Sequence, residues 1–359
     1  MRHGPTATAT KARLVIAPQW VGDAVMAAPM MASLAQTGPL DVICLSSLAD
    51  LFRGMPFVRQ VLPMDFQRGR LQWSARRLAA KALAAQGYQQ AIVCPNSWKS
   101  ALLPWFAGIP QRTGLLGEWR IGLLNDIRRP PVSSSEPTAT QPDCYDALAD
   151  NPQAARAHRA TQLPLLTAQP AAHCPGRPQL ALCPGAEFGP AKQWPADHYA
   201  ELARQWLNAG GQVVVLGGSK DQAVGLSVLT ALAKSASQTD QWGPADCQML
   251  AGQTSLAQAM THLTVSQLVV SNDSGLMHIA AALGRPCVGL YGSTSQTKTP
   301  AFGPSWLPLS LDLPCRPCFD RQCRLGTTAC LQDLAPEQVV AAVRSKGWWP
   351  DQLDLRHAN

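Results

Sequence analysis

The feature that most restricts the fold of this chain is a regular alternation between short apolar, β-branched runs and longer amphipathic ones. In the N-terminal half the strand-like runs 14–17, 41–45, 58–62 and 91–94 are separated by helix-like stretches at 23–36, 47–53 and 71–86. Runs of four or five apolar residues fit buried strands, and the longer stretches carry their apolar residues at helical spacing. Strands that alternate with helices build parallel sheets covered by those helices. The pattern starts again further on: 179–183, 212–216, 267–271 and 287–290 read as strands, and 195–208, 221–234 and 275–283 as helices.

A chain of 359 residues is longer than one hydrophobic core usually serves, so two doubly wound α/β domains are expected. Between them, 128–178 is rich in Pro, Ala, Ser and Thr, with Pro130-Pro131 and a Ser133-Ser134-Ser135 run. It reads as a connector with one helical stretch around 145–149. The expected layout is a flexible leader at 1–12, an N-terminal domain with the connector at 13–172, a second domain at 173–334, and a C-terminal helix and tail at 335–359. That last helix opens with Pro336-Glu337 and ends in basic residues before Gly347, as helix ends often do. Open α/β sheets bind ligands at the carboxyl ends of their strands, so functional residues are sought there.

Composition narrows the function classes. With 46% hydrophobic and 15% charged residues the chain is globular rather than disordered. Its apolar stretches are broken by Arg285, His278 and Pro286, and none resembles a bilayer span. The first twelve residues lack the apolar core of a secretory signal, and seven of the eleven cysteines are scattered, several in strand-like runs. Both features point to a reducing, cytoplasmic setting. The net charge of +7 is concentrated: 51–130 holds twelve Lys or Arg against three acids. An acidic partner or a solvated basic face would each account for that. No aromatic-rich nucleic-acid module accompanies the charge, so nucleic acid is not expected as a partner.

Three segments follow strand-like runs and carry candidate chemistry. In the first, Pro18-Gln19-Trp20-Val21-Gly22-Asp23, Gly22 allows a tight turn and Asp23 either caps the next helix or presents a general base. The second runs from Cys183 through Pro184, Gly185, Glu187 and Lys192 to Trp194-Pro195. Its glycines, lysine and following helix suit a phosphate, although it lacks the spacing of a nucleotide-hydrolysing P-loop. The third, Ser271-Asn272-Asp273-Ser274-Gly275-Leu276-Met277-His278, starts a helix at which Ser274 and Gly275 can offer backbone amides to an anion. His278 lies one turn beyond Ser274, as a buried core histidine or a ligand contact. An NAD-dependent oxidoreductase is disfavoured because the first strand turn has no G-x-G-x-x-G.

Together, PxWVGDxxM, CPGAEFGPAKxWP and SNDSGLMHxAAALxRP resemble the ADP-heptose:lipopolysaccharide heptosyltransferases, inverting glycosyltransferases of family 9, and most closely their heptosyltransferase II branch. The resemblance runs over nearly the whole chain from about Arg13. It implies a GT-B fold, two Rossmann-like domains facing a central cleft, and transfer of heptose from ADP-heptose to the first heptose of a lipid A–inner core acceptor, with no cofactor required. It implies Asp23 as general base and Lys192 against the donor phosphates. Gly22, Asp273, Ser274, Gly275 and His278 would serve the donor, with Thr254, Ser255 and Leu256 near the adenine. Glu187 stands where a sister branch has a hydroxyl residue, and Gln193 replaces the arginine often found before the Trp-Pro pair. The implied setting is cytoplasmic, with peripheral contact at the inner membrane.

Two matters stay open on sequence. Cys315, Cys318, Cys323 and Cys330, spaced C-x2-C-x4-C-x6-C, offer four thiolates for a structural zinc, or are free thiols. A transferase of another branch, acting at the first or a later core heptose, or a non-catalytic sugar-nucleotide-binding protein would show the same motifs, the latter with Asp23 acting only as a helix cap.

Overall fold

The structure is a computed structural model that describes residues 12–66, 71–129, 139–161, 165–170, 177–237, 240 and 242–350. It divides into two compact units, Met1–Gln162 and Leu163–Asn359. Each unit is built on one parallel sheet of six strands.

In the first unit the strands are β1 (Arg13–Ile16), β2 (Leu40–Cys44), β3 (Gln60–Pro63), β4 (Gln90–Val93), β5 (Gln111–Leu115) and β6 (Asp126–Arg128), ordered β3-β2-β1-β4-β5-β6. In the second they are β7 (Gln179–Cys183), β8 (Gln212–Val215), β9 (Cys247–Met249), β10 (Leu268–Asn272), β11 (Cys287–Leu290) and β12 (Trp306–Leu309), ordered β12-β11-β10-β7-β8-β9. Both sheets follow the 3-2-1-4-5-6 order of the Rossmann fold. Chain direction across the sheet reverses between β1 and β4 in one and between β7 and β10 in the other. The polar motifs found in sequence follow β1, β7 and β10, beside these switch points.

The central strands β2, β4, β7 and β10 are buried along their whole length, as parallel strands with helices on both faces must be. In the second unit Leu180, Leu182, Val213, Val215, Val270 and Val288 meet Tyr199, Leu202 and Trp206 of the helix Ala196–Asn208. Each fully buried side chain of this size contributes roughly 1.5–3 kcal/mol. The helix Pro336–Ser345 buries Val339, Val340 and Val343 and packs against that same helix. Trp349 beyond it meets Trp206 edge-on at 5.2 Å. In the first unit Leu14, Ile16, Ala91 and Val93 pack with Ala80, Leu83, Ala101 and Leu103 of the helices Trp73–Ala84 and Trp98–Phe106.

Several elements depart from the sequence reading. The stretch 23–36 forms two helices, Val21–Met26 and Ala28–Ala35, with Pro29 in the first turn of the second. The connector holds two helices, Gln141–Asp146 and Pro152–Thr161. The first is fixed by Thr140, whose hydroxyl accepts from the Asp143 amide while Asp143 reaches back to the Thr140 amide. Among the described residues no helix is long and apolar enough to cross a membrane.

Candidate functional site

In the first unit the chain leaves β1, passes Pro18 and enters the helix Val21–Met26, with Trp20 at the N-cap. Gly22 and Asp23 therefore lie inside the first helical turn, so the sharp turn expected at Gly22 is absent. Asp23 Oδ1 accepts hydrogen bonds from the Tyr145 hydroxyl at 2.8 Å and from Gln141 Nε2 at 2.9 Å. Both donors are neutral, and they stand four residues apart on one face of the helix Gln141–Asp146. Tyr145 is buried, and burial followed by the nearby Asp23 charge pushes its phenol well above the ordinary range, so it remains a donor. The helix is itself tied down. Asp143 bonds Arg156 and Arg159 at 2.8 and 2.7 Å. Burial alone would raise the Asp143 carboxyl, but hydrogen bonds from Thr140 and Arg159 hold it down to about 2.

On the other side of the switch point, the loop after β4 is braced by Arg120. Its buried guanidinium donates to the carbonyls of Pro95 and Leu115 and to Asn96 Oδ1.

In the second unit the loop after β7 carries Lys192 in a short 3-10 turn, Pro190–Lys192. Its Nζ lies 2.6 Å from Asp273 Oδ2 and 3.3 Å from the Asp273 carbonyl. The Thr294 hydroxyl donates to the same carboxylate oxygen at 2.7 Å, and His278 Nε2 lies 3.9 Å from Oδ1. Asp273 and His278 are both buried. Burial, opposed by Asp273 and reinforced by Lys192, lowers the His278 pKa to about 4, so the imidazole is neutral at pH 7. Among the described residues, His278 Nδ1 is buried without a hydrogen-bond partner.

Ser274 is the extended N-cap of the helix Gly275–Ala282, and its side chain makes no cap bond; its Oγ instead meets Ser271 Oγ at 3.1 Å. The amides of that first turn thus gain no acceptor from the cap side chain, the condition under which a helix N-terminus receives an anion. Asn272 joins the two motifs. Its Oδ1 accepts from the Trp194 amide and the Tyr199 hydroxyl, and its Nδ2 donates to Pro184 and Gly185 carbonyls. A buried amide with all four capacities used fixes its surroundings strongly.

The loop after β11 completes this cluster. Gly292 admits the Lys192 turn at close range: a Cβ there would stand 2.7 Å from the Ala191 carbonyl. Arg316 donates to the carbonyls of Gly292 at 2.6 Å and Thr294 at 3.1 Å, which holds Thr294 toward Asp273.

Residues 76–329 match the family described as glycosyltransferase family 9 (heptosyltransferase). The chain is 42% identical over 303 residues to lipopolysaccharide heptosyltransferase 2 of Escherichia coli K12, covering 80% of this chain and 84% of that one. It is 38% identical to lipooligosaccharide heptosyltransferase 2 of Haemophilus influenzae, over 80% of this chain and 85% of that one. The chain belongs to glycosyltransferase family 9. A solved structure of E. coli ADP-heptose LPS heptosyltransferase II superposes with a TM-score of 0.75 at 36% identity, covering 93% of this chain and 98% of that one. The family's GT-B fold, two Rossmann-like units, is the fold described above, and the chain is a glycosyltransferase.

Of the residues singled out in sequence, Lys192, Asp273, Ser274, Gly275 and His278 of this family 9 chain come together at the carboxyl ends of β7 and β10. Glu187 does not join them: it pairs with Lys220 at 2.6 Å on an exposed rim. Thr254, Ser255 and Leu256 follow β9, three strand positions from β10 and so roughly 14 Å along the sheet. There Ser255 caps the helix Leu256–Val265 in a reciprocal pair with Gln258.

Sequence reasoning missed Tyr145, Gln141, Asn272, Thr294 and Arg316. A Gly-Ser-Thr run one residue past β11 was the available signal for Thr294; nothing in the connector marked Tyr145. The four-cysteine segment, distant from the motifs in the chain, lies beside them in space. The Ala191 amide donates to the Arg321 carbonyl at 3.2 Å and the Phe319 amide to the Ser293 carbonyl at 2.8 Å. Among the described residues no group of three or more His, Cys, Asp or Glu side chains is placed to hold a metal ion, these cysteines included. The structural zinc left open on sequence gains no support among the described residues, and the segment supplies backbone hydrogen bonds here.

Proposed function

We propose that this chain is a heptosyltransferase II: it transfers L-glycero-D-manno-heptose from ADP-heptose to the first heptose of a lipopolysaccharide inner core. Asp23 takes the proton from the acceptor hydroxyl as that oxygen attacks the anomeric carbon. The bond from that carbon to the diphosphate breaks with inversion, and ADP leaves. Lys192 and the amides at the start of the helix Gly275–Ala282 offset the charge that develops on the diphosphate. Asp273 orients Lys192, and neutral His278 meets sugar hydroxyls. The residues after β8 and β9, Thr254 to Leu256 among them, extend the site for the nucleoside.

The observation that carries this reading is the Lys192–Asp273–Thr294 cluster set against an uncapped helix N-terminus. The relatives' names, lipopolysaccharide and lipooligosaccharide heptosyltransferase 2, support the choice of branch. The reading includes peripheral contact with the cytoplasmic face of the inner membrane. The loop between β5 and β6 supports it by exposing Leu116, Trp119 and Ile121 in the basic half of the chain, a composition suited to an anionic lipid surface.

The test is transfer from ADP-heptose to acceptors truncated after zero, one or two heptoses, followed by mass. Transfer to the one-heptose acceptor alone is expected. Transfer to the heptose-free acceptor would move the chain to the first-heptose branch, and no transfer by folded protein would overturn the reading.

A further inference from the structure

A second constellation lies in the first unit, apart from Asp23. A cavity of about 290 Å³ opens at the carboxyl ends of β1, β2 and β4, with Gln19, Phe66, Arg76, Ser97, Lys99 and Ser100 in its wall. Its size is at the small end of ligand sites. Arg76 is 7% exposed. Its Nε donates to the Leu71 carbonyl at 2.9 Å and Nη1 to the Lys99 carbonyl at 3.2 Å, while the guanidinium lies 4.2 Å from the Phe66 ring centroid. Among the described residues Nη2 has no hydrogen-bond partner, and neither Arg76 nor Lys99 forms an ion pair. Burial lowers the Arg76 pKa, and no neighbouring acid offsets it.

A buried guanidinium without a carboxylate is costly unless an anion arrives to meet it. Ser97, Lys99 and Ser100 belong to the N-terminus of the helix Trp98–Phe106, where Ser97 provides no side-chain cap. A guanidinium with one donor nitrogen to spare, a second cation and a helix N-terminus thus line one small cavity.

We propose that this cavity binds an oxyanion of the acceptor saccharide, a sugar carboxylate or a phosphate ester, with Arg76 as its specificity-determining residue and Lys99 as the second cation. This rests on the heptosyltransferase reading and adds to it the acceptor group that is recognised and the residues that recognise it. The excess of basic residues over 51–130 agrees with an anionic acceptor.

The test uses the full chain and the one-heptose acceptor in three forms: native, carboxyl-reduced and phosphatase-treated. Arg76→Gln is expected to raise the acceptor KM about 10- to 100-fold, the range of a lost charge-assisted hydrogen bond. Lys99→Met raises it several-fold, and the KM for ADP-heptose stays within about twofold in both. Removing whichever anion occupies the cavity costs the wild type a similar factor and costs Arg76→Gln little more, a coupling that a purely structural arginine would not show. Which modified acceptor does so separates carboxylate from phosphate. If Arg76→Gln does not fold, Lys99→Met on the three acceptors decides. Wild-type-like acceptor KM values in folded variants, or losses that simply multiply, would overturn the subsite. A wild type that transfers to no acceptor would instead overturn the heptosyltransferase reading beneath it.

Discussion

The two units each place an aspartate beside a switch point, but they hold it differently. Asp23 accepts hydrogen bonds from Tyr145 and Gln141, on the helix Gln141–Asp146 far along the chain, whereas Asp273 accepts from the Lys192 ammonium and the Thr294 hydroxyl. Tyr145 and Gln141 orient the Asp23 carboxylate, and the ion pair at 2.6 Å couples Asp273 to Lys192. The Asp273 environment suits an anchor that aims a lysine, while Asp23 is the residue proposed as the base. The residue type is the same in both places, and the partners set the role.

Breaking the second environment should give large effects. Lys192→Ala removes the charge facing the diphosphate and is expected to lower kcat by about 10² to 10³, with weaker ADP binding by calorimetry. Asp273→Asn should cost less, about tenfold in kcat, because the lysine remains but is no longer aimed. ADP should bind at least as tightly to that variant, since a negative charge near the diphosphate is gone. An equal loss of ADP affinity in both variants would show that Asp273 contacts the donor directly.

Tyr145→Phe sharpens the comparison from the other side. It removes a donor that orients the Asp23 carboxylate, so kcat/KM should fall roughly threefold while ADP affinity stays unchanged. An unchanged kcat/KM would mean that Tyr145 only packs. Thr294→Val, which leaves Lys192 in place, should lower kcat about two- to fivefold.

The smallest expected effect separates the units by pH. The His278 pKa is lowered to about 4, so its contribution to stability is full above about 6.5, the unfolded value, and is lost as pH falls toward 4. Burial raises the Asp146 carboxyl to about 6, above its unfolded value, so that group favours the folded state increasingly as pH falls below 6. Between pH 7 and 5, hydrogen-exchange protection, corrected for intrinsic rates, should drop in Gly275–Ala282 and hold in Gln141–Asp146. A parallel drop in both would contradict these assignments.

The comparison also explains which parts of the molecule could be read in advance. Apolar runs such as β4, β8 and β10 announce themselves because both faces are buried. β5, β6 and β9 do not, since Gln111-Arg112-Thr113, Asp126-Ile127-Arg128 and Cys247-Gln248-Met249 lie toward the sheet edges and carry polar residues without a β-branched run. The donor-side residues stand in two continuous motifs, each at a strand end, so their spacing shows them. The partners of Asp23 are 118 and 122 residues away, in a stretch whose Pro and Ser content reads as a connector. Arg316 and the cysteine segment act through backbone carbonyls and amides, which leave no trace in residue type.

The most direct test of the contrast between the two aspartates is Asp23→Asn, measured for transfer and for ADP binding in the same preparation. The account predicts a loss of kcat of about 10² to 10⁴, as for removal of a general base, with ADP affinity unchanged. Near-normal turnover in the folded variant would contradict it and reduce Asp23 to a residue of the first helical turn.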